Sequence, residues 1–94
     1  MSNQNQMIYR LSAYIDALRS TKVDGKLFAD LEAQRAHFRR KALEEIPADL
    51  LNWSEVTRQA GMTRTRWQDI VRGKIKATAD DLAAIRDVLR ANFR

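Results

Sequence analysis

The sequence predicts an all-α protein of five helices, and three observations carry that expectation. Apolar residues recur at three- and four-residue steps along most of the chain, the spacing of one helical face. Three Gly and one Pro in 94 residues leave long stretches free of helix breakers. No run alternates apolar and polar residues over a strand's length, and no segment repeats.

The elements follow in chain order. Met1 to Gln6 is polar and uncharged, so it is expected as a disordered tail (residues 1–6) and not as a signal peptide. The first helix is predicted over about Met7–Arg19, with Ile8, Leu11, Ile15 and Leu18 on one face and Met7 and Tyr14 widening it. Lys22 to Gly25 is the break, with Gly25 as the permissive residue. A longer second helix is predicted over about Lys26–Glu45. Its stripe is Leu27 or Phe28, Leu31, Phe38 and Ala42, interrupted by Arg35. Pro47 disfavours helical geometry at Ile46 and ends it. After a connector at residues 48–51, three short helices are expected at about 53–60, 64–72 and 79–92. The division is therefore a tail, an N-terminal helical pair over 7–46, and a second part over 47–94.

Composition narrows the chemistry. Hydrophobic residues make up 45% of the chain, enough for one small folded domain. There is no cysteine, which excludes disulfides, thiolate metal sites and cysteine nucleophiles. His37 is the only histidine and has no metal-ligating neighbours in the sequence. Ser12 and Ser54 lack triad companions. Asp80 and Asp81 read as favourable charge at a helix start, not as a catalytic pair. No enzyme, cofactor, metal or small-molecule ligand is expected. No apolar run approaches the roughly 18 residues that span a bilayer, so a cytoplasmic, nucleoid-associated protein is expected and no membrane partner.

The net charge is +5, which favours a polyanionic partner. The charge is unevenly spread. Between Arg58 and Lys76 stand Arg58, Arg64, Arg66, Arg72, Lys74 and Lys76 against a single acid, Asp69. That basic block coincides with the most informative stretch, Asn52 to Ala77. Asn52 is a good N-cap, Glu55 stands at the capping-box position, and Leu51 and Val56 match a hydrophobic staple. Gly61 supplies the left-handed geometry of a tight turn between two helices. Thr63 caps the next helix, and Gly73 closes it. Val56, Ala60, Met62, Trp67 and Ile70 face inward. Arg64, Thr65, Arg66, Gln68, Asp69 and Arg72 face outward, with long or polar tips suited to base edges in a major groove.

At this point the chain resembles the lambda-repressor-like and Cro-like helix-turn-helix regulators. Val56, the small Thr57, Gly61, Met62, Trp67, Ile70 and Gly73 stand at that family's spacing. The next helix is also similar, with Thr78 as cap, Asp81 at the capping-box place, and Leu82, Ile85, Val88 and Leu89 as its buried stripe. The resemblance spans roughly residues 35–92 and is strongest over 51–76. It implies a lambda-repressor-like helix-turn-helix domain, here preceded by a two-helix extension. The core of the motif would be Val56, Ala60, Gly61, Met62, Trp67 and Ile70. By the same resemblance the start of helix 64–72 reads bases through Arg64, Thr65, Arg66 and Gln68. Asn52, Arg58, Thr63, Arg72, Lys74 and Lys76 suit phosphate contacts, which position a protein without reading sequence.

The expected function is a sequence-specific transcriptional regulator of double-stranded DNA, a homodimeric repressor that occludes a promoter. Two alternatives stand beside it: a protein-interaction or inhibitor module built on a similar fold, and a nucleoid-type binder without sequence preference. The N-terminal helices have two candidate roles, a hairpin packed on its own domain or a dimer interface. Ile8, Leu11, Ile15, Leu18, Phe28, Leu31 and Phe38 are the residues for either. Arg39-Arg40-Lys41 reads as a solvated face, with a second DNA-binding patch as its rival.

Overall fold

Five helices and no strand form among the residues described by the structure, a computed structural model that covers 3–46 and 51–92. They are α1 (Asn3–Arg19), α2 (Leu31–Arg39), α3 (Trp53–Gln59), α4 (Arg64–Arg72) and α5 (Ala79–Asn92), with a π-helical turn at Arg40–Glu44 continuing α2. The stop at Pro47 and the connector at 48–50 lie outside the described residues.

The α1 helix begins at Asn3, so the expected tail is shorter than 1–6 and Asn3 to Gln6 are helical. Met7, Leu11, Tyr14 and Ile15 form its buried side, and Ile8 and Leu18 flank it. This face packs mainly on α5, then on α2. Leu82, Ile85 and Leu89 of α5 meet it with no exposed surface. Burying a Leu or Ile side chain contributes about 1.5–3 kcal/mol, so the α1–α5 seam is a large part of the stability. One apolar cluster runs from α1 through Ala42 and Leu43 to Trp53, Val56, Trp67 and Ile70. The N-terminal helices are therefore part of the same core as residues 51–92. Leu11 and Ile15 are consumed within the chain, as the packing role requires. Ile8, Leu18, Phe28, Leu31 and Phe38 keep part of their surface open.

The second helix starts five residues later than expected, at Leu31 and not Lys26. Two aspartates explain this. Asp30 is extended and its Oδ1 accepts from the Ala33 amide at 2.7 Å, an N-cap that fixes the start. Asp24 organises a separate turn, accepting from the Lys26 amide through Oδ1 and from the Leu27 and Phe28 amides through its carbonyl. Leu27 consequently lies on the surface. Gly25 has no left-handed backbone, so Asp24 and not glycine makes this break.

The segment between α1 and α2 is held by two residues of α2. Gln34 is buried, accepts from the Asp24 amide at 2.9 Å and donates to the Lys22 carbonyl at 3.3 Å. Arg35 donates to the carbonyls of Ala17, Leu18 and Ser20, which satisfies the open end of α1. The charge that interrupts the apolar stripe of α2 is thus the cap of its neighbour. At the other end of α2, the Glu45 amide donates to the Arg40 carbonyl five residues back, at 3.0 Å. The wider turn lets the consecutive residues Ala42 and Leu43 both reach the core.

Candidate nucleic-acid interface

Helices α3 and α4 are joined by a tight turn whose geometry follows from its sequence. Asn52 Oδ1 accepts from the Glu55 amide at 3.3 Å and starts α3. Glu55 does not complete the capping box; its carboxylate turns instead to Arg58 and Gln59. Thr57 is buried and donates its hydroxyl to the Trp53 carbonyl at 2.7 Å, so the polar group at a core position is satisfied. Gly61 is left-handed at φ 73°, and the Met62 amide closes the turn on the Thr57 carbonyl at 2.9 Å. Thr63 Oγ1 then accepts from the Arg66 amide at 3.1 Å and starts α4. Gly73, at φ 82°, and the Lys74 amide on the Asp69 carbonyl end it.

Trp67 and Ile70 anchor α4 in the core. The Trp67 ring stacks on Trp53 with centroids 5.4 Å apart and planes at 26°. This pairs α4 with α3 through two large apolar surfaces. Val56 is buried; Ala60 and Met62 are half-buried against the same cluster.

The outer surface of α4 follows from a rotation of about 100° per residue. Thr65, Asp69 and Arg72 stand opposite the buried side, with Gln68 beside them. Arg64 and Arg66 lie on the two flanks. Thr65 and Arg72 are exposed, whereas Gln68 and Asp69 are half-buried. Arg64 leans towards α3, donating from Nη1 to Ser54 Oγ at 3.0 Å. Arg66 leans towards α5, donating from Nη2 to Asp81 Oδ2 at 2.8 Å. Asp81 sits in the first turn of α5, which Thr78 Oγ1 caps by accepting from the Asp81 amide at 3.1 Å.

The basic block is therefore partly neutralised within the chain. Arg58 pairs with Glu55, whose carboxyl is held down to about 2, first by the hydrogen bond from Arg58 and then by that from Gln59. Arg66 pairs with Asp81. Arg64 meets only a neutral hydroxyl. Arg72, Lys74 and Lys76 are exposed, and their side chains have no hydrogen-bond or ionic partner among the described residues. Of the residues expected to meet phosphates, Asn52 and Thr63 are exposed but already serve as helix caps.

One residue that bears on α4 was not legible as such. Arg39 sits at the end of α2, and its Nη2 donates to the Ile70 and Val71 carbonyls at 2.8 and 3.0 Å. Its Nη1 donates to Glu44 Oε1 at 2.7 Å. A guanidinium thus closes the carboxyl end of α4, where orphan carbonyls and the helix dipole both favour a cation. It also lies near Tyr14, whose hydroxyl is pushed up by burial and drawn part of the way back by this charge. The Arg39-Arg40-Lys41 run divides accordingly. Arg39 latches α4, Lys41 pairs with Glu45 at 3.1 Å, and Arg40 is exposed. His37 packs its ring against Phe28 and Phe38.

Among the described residues no helix is long and apolar enough to cross a membrane. Comparison with known protein families, with curated proteins and with solved structures finds no match to this chain.

Proposed function

We propose that α3 and α4 form a helix-turn-helix of the lambda-repressor-like type and that the chain is a sequence-specific regulator of double-stranded DNA. In this reading α4 enters the major groove. Thr65, Gln68, Asp69 and Arg72 occupy the side that meets the groove floor, which moves Arg72 there from the phosphate role expected of it, and Arg64 and Arg66 reach base edges from the two flanks. Arg to guanine and Gln to adenine contacts each discriminate by about 1–3 kcal/mol. Lys74 and Lys76, just beyond α4, meet phosphates.

The observation that carries the reading is the outer surface of α4. It projects from the fold with Trp67 and Ile70 beneath it, and the side chains of Arg72, Lys74 and Lys76 beside it have no partner among the described residues. A single module of this size binds weakly, so the active form is a homodimer that sets two copies of α4 on half-sites about 34 Å apart. Occupying a promoter in this way makes the protein a repressor.

Selection of bound duplexes from a random pool tests the proposal, and a palindromic consensus is expected. On that consensus Arg72→Ala weakens binding by about tenfold. Lys74→Ala weakens all duplexes alike and lowers the salt slope by about 0.9. Equal enrichment of all sequences would assign a nucleoid-type binder instead. No retention of any duplex at low salt would overturn DNA binding altogether.

A further inference from the structure

The space between the π-helical turn and α4 is a cleft of about 220 Å³, open to solvent on one side. Its floor is core: Met7, Leu11, Leu43, Trp53 and Trp67, each less than 10% exposed. Its rim carries Arg64 and Arg72, and among the described residues no acidic side chain lines it. A cavity of about 150 Å³ holds a benzene molecule, so this cleft has room for one aromatic ring or a short alkyl chain.

We propose that this cleft binds a small amphiphilic carboxylate, its apolar tail on the indoles and its charge on Arg72. The two rim arginines are eight positions apart on α4, about 12 Å along the axis, so they stand at opposite ends of the opening. Arg64 is already held by Ser54 Oγ at 3.0 Å. Arg72 has no partner among the described residues, and its planar fork matches a carboxylate. A phosphate dianion would lose more hydration against walls this apolar. The site stands independently of DNA binding. Where the DNA reading also holds, a carboxylate on Arg72 removes that side chain from the groove, and the ligand releases the duplex.

The test uses the full chain without DNA. Octanoate and 3-phenylpropionate are titrated while tryptophan emission and heat are recorded. Trp53 and Trp67 are the only tryptophans in the chain, and both line the cleft. A saturable change with a Kd on the order of 1 mM is expected for a ligand this small. The neutral octan-1-ol and 3-phenylpropan-1-ol are expected to bind about tenfold more weakly, and Arg72→Gln to weaken both acids about tenfold. Arg64→Gln changes either affinity less than about twofold. Ala42→Leu, which fills the cleft from its floor, abolishes binding in protein that circular dichroism shows to be folded. If that variant does not fold, Arg72→Gln at an exposed position decides. The proposal is overturned if neither acid gives a saturable signal, if the alcohols bind as tightly as the acids, or if Arg72→Gln binds as the parent does.

Discussion

Replacing Arg39 by methionine isolates the latch on α4. Methionine keeps much of the apolar stem and removes the guanidinium, so the change reports the polar contacts and not a cavity. Two hydrogen bonds to the Ile70 and Val71 carbonyls are lost, at 2.8 and 3.0 Å. Bonds to a charged group contribute about 1.5–3 kcal/mol each when well shielded. The Arg39 side chain is 23% exposed, so water recovers part of that loss at the carbonyls. The expected net loss is about 2 kcal/mol. For a domain of this size each kcal/mol moves Tm by about 4–8 °C, so a drop of roughly 8–16 °C is expected in a thermal melt followed by circular dichroism. Arg39→Lys restores less than half, because an ammonium has no fork to span two carbonyls. Glu44→Gln separates the ion pair from the latch; Glu44 is half exposed, and its loss is expected to stay below about 1 kcal/mol. Amide exchange locates the effect: the last turn of α4 loses protection in Arg39→Met while the α1–α5 seam does not. The reasoning is refuted if Arg39→Met unfolds within about 0.5 kcal/mol of the parent and the amides of Ile70 to Gly73 exchange at the parent rate.

Three other outcomes are expected. Asp81→Asn frees Arg66 from its 2.8 Å partner; at low salt the affinity for duplex rises, while stability falls by less than about 1 kcal/mol. An unchanged affinity would show that Arg66 does not reach the duplex. Trp67→Ala removes the ring stacked on Trp53 and is expected to lose about 3–5 kcal/mol in urea unfolding, with Trp53 emission shifted to the red; a loss below about 1 kcal/mol would place Trp67 outside the core. Glu55 titrates from about 2 in the fold, against an ordinary value of 4.5, because Arg58 and then Gln59 donate to it. Its folded value is depressed, so its contribution is present above 4.5 and is lost as pH falls from there towards 2. Carboxyl NMR checks the titration, and Glu55→Gln is expected to flatten the acid limb of the stability profile between those two values.

The C-terminal half was readable because its signals are local. Asn52, Gly61, Thr63, Gly73 and Thr78 act within three to five residues of where they stand, and the structure places helix boundaries beside all five. The α1 stripe was readable for the same reason. What sequence spacing misses is set across the fold. Asp30 outcompetes an earlier start for α2, although the apolar pattern continues through Phe28. Arg35 looks like a fault in a stripe until the carbonyls of Ala17, Leu18 and Ser20 stand beside it. Arg39 and Ile70 are 31 positions apart, and Arg66 and Asp81 are 15 apart. A basic run reads the same whether a side chain is solvated, paired or capping a distant helix. Only the Glu55–Arg58 and Lys41–Glu45 pairs, three and four positions apart, carry a spacing that announces them.

These long-range contacts change what α4 is within the fold. Its inner side holds Trp67 and Ile70, its carboxyl end is closed by an arginine from α2, and its flanks lean on Ser54 of α3 and Asp81 of α5. Direct helix-to-helix packing from α1 and α2 onto α4 is sparse beside that on α5. The N-terminal helices therefore reach α4 through the shared core beneath Trp67 and Ile70 and through the Arg39 latch at its carboxyl end. The contacts of Arg64 with Ser54 and of Arg66 with Asp81 are exposed and made by side chains alone, so their loss removes no hydrogen bond from the α4 backbone. The ion pair with Asp81 holds Arg66 ordered and neutralised until a stronger anion competes for it, and that competition, unlike a rearrangement of the core, is weakened by salt on both sides.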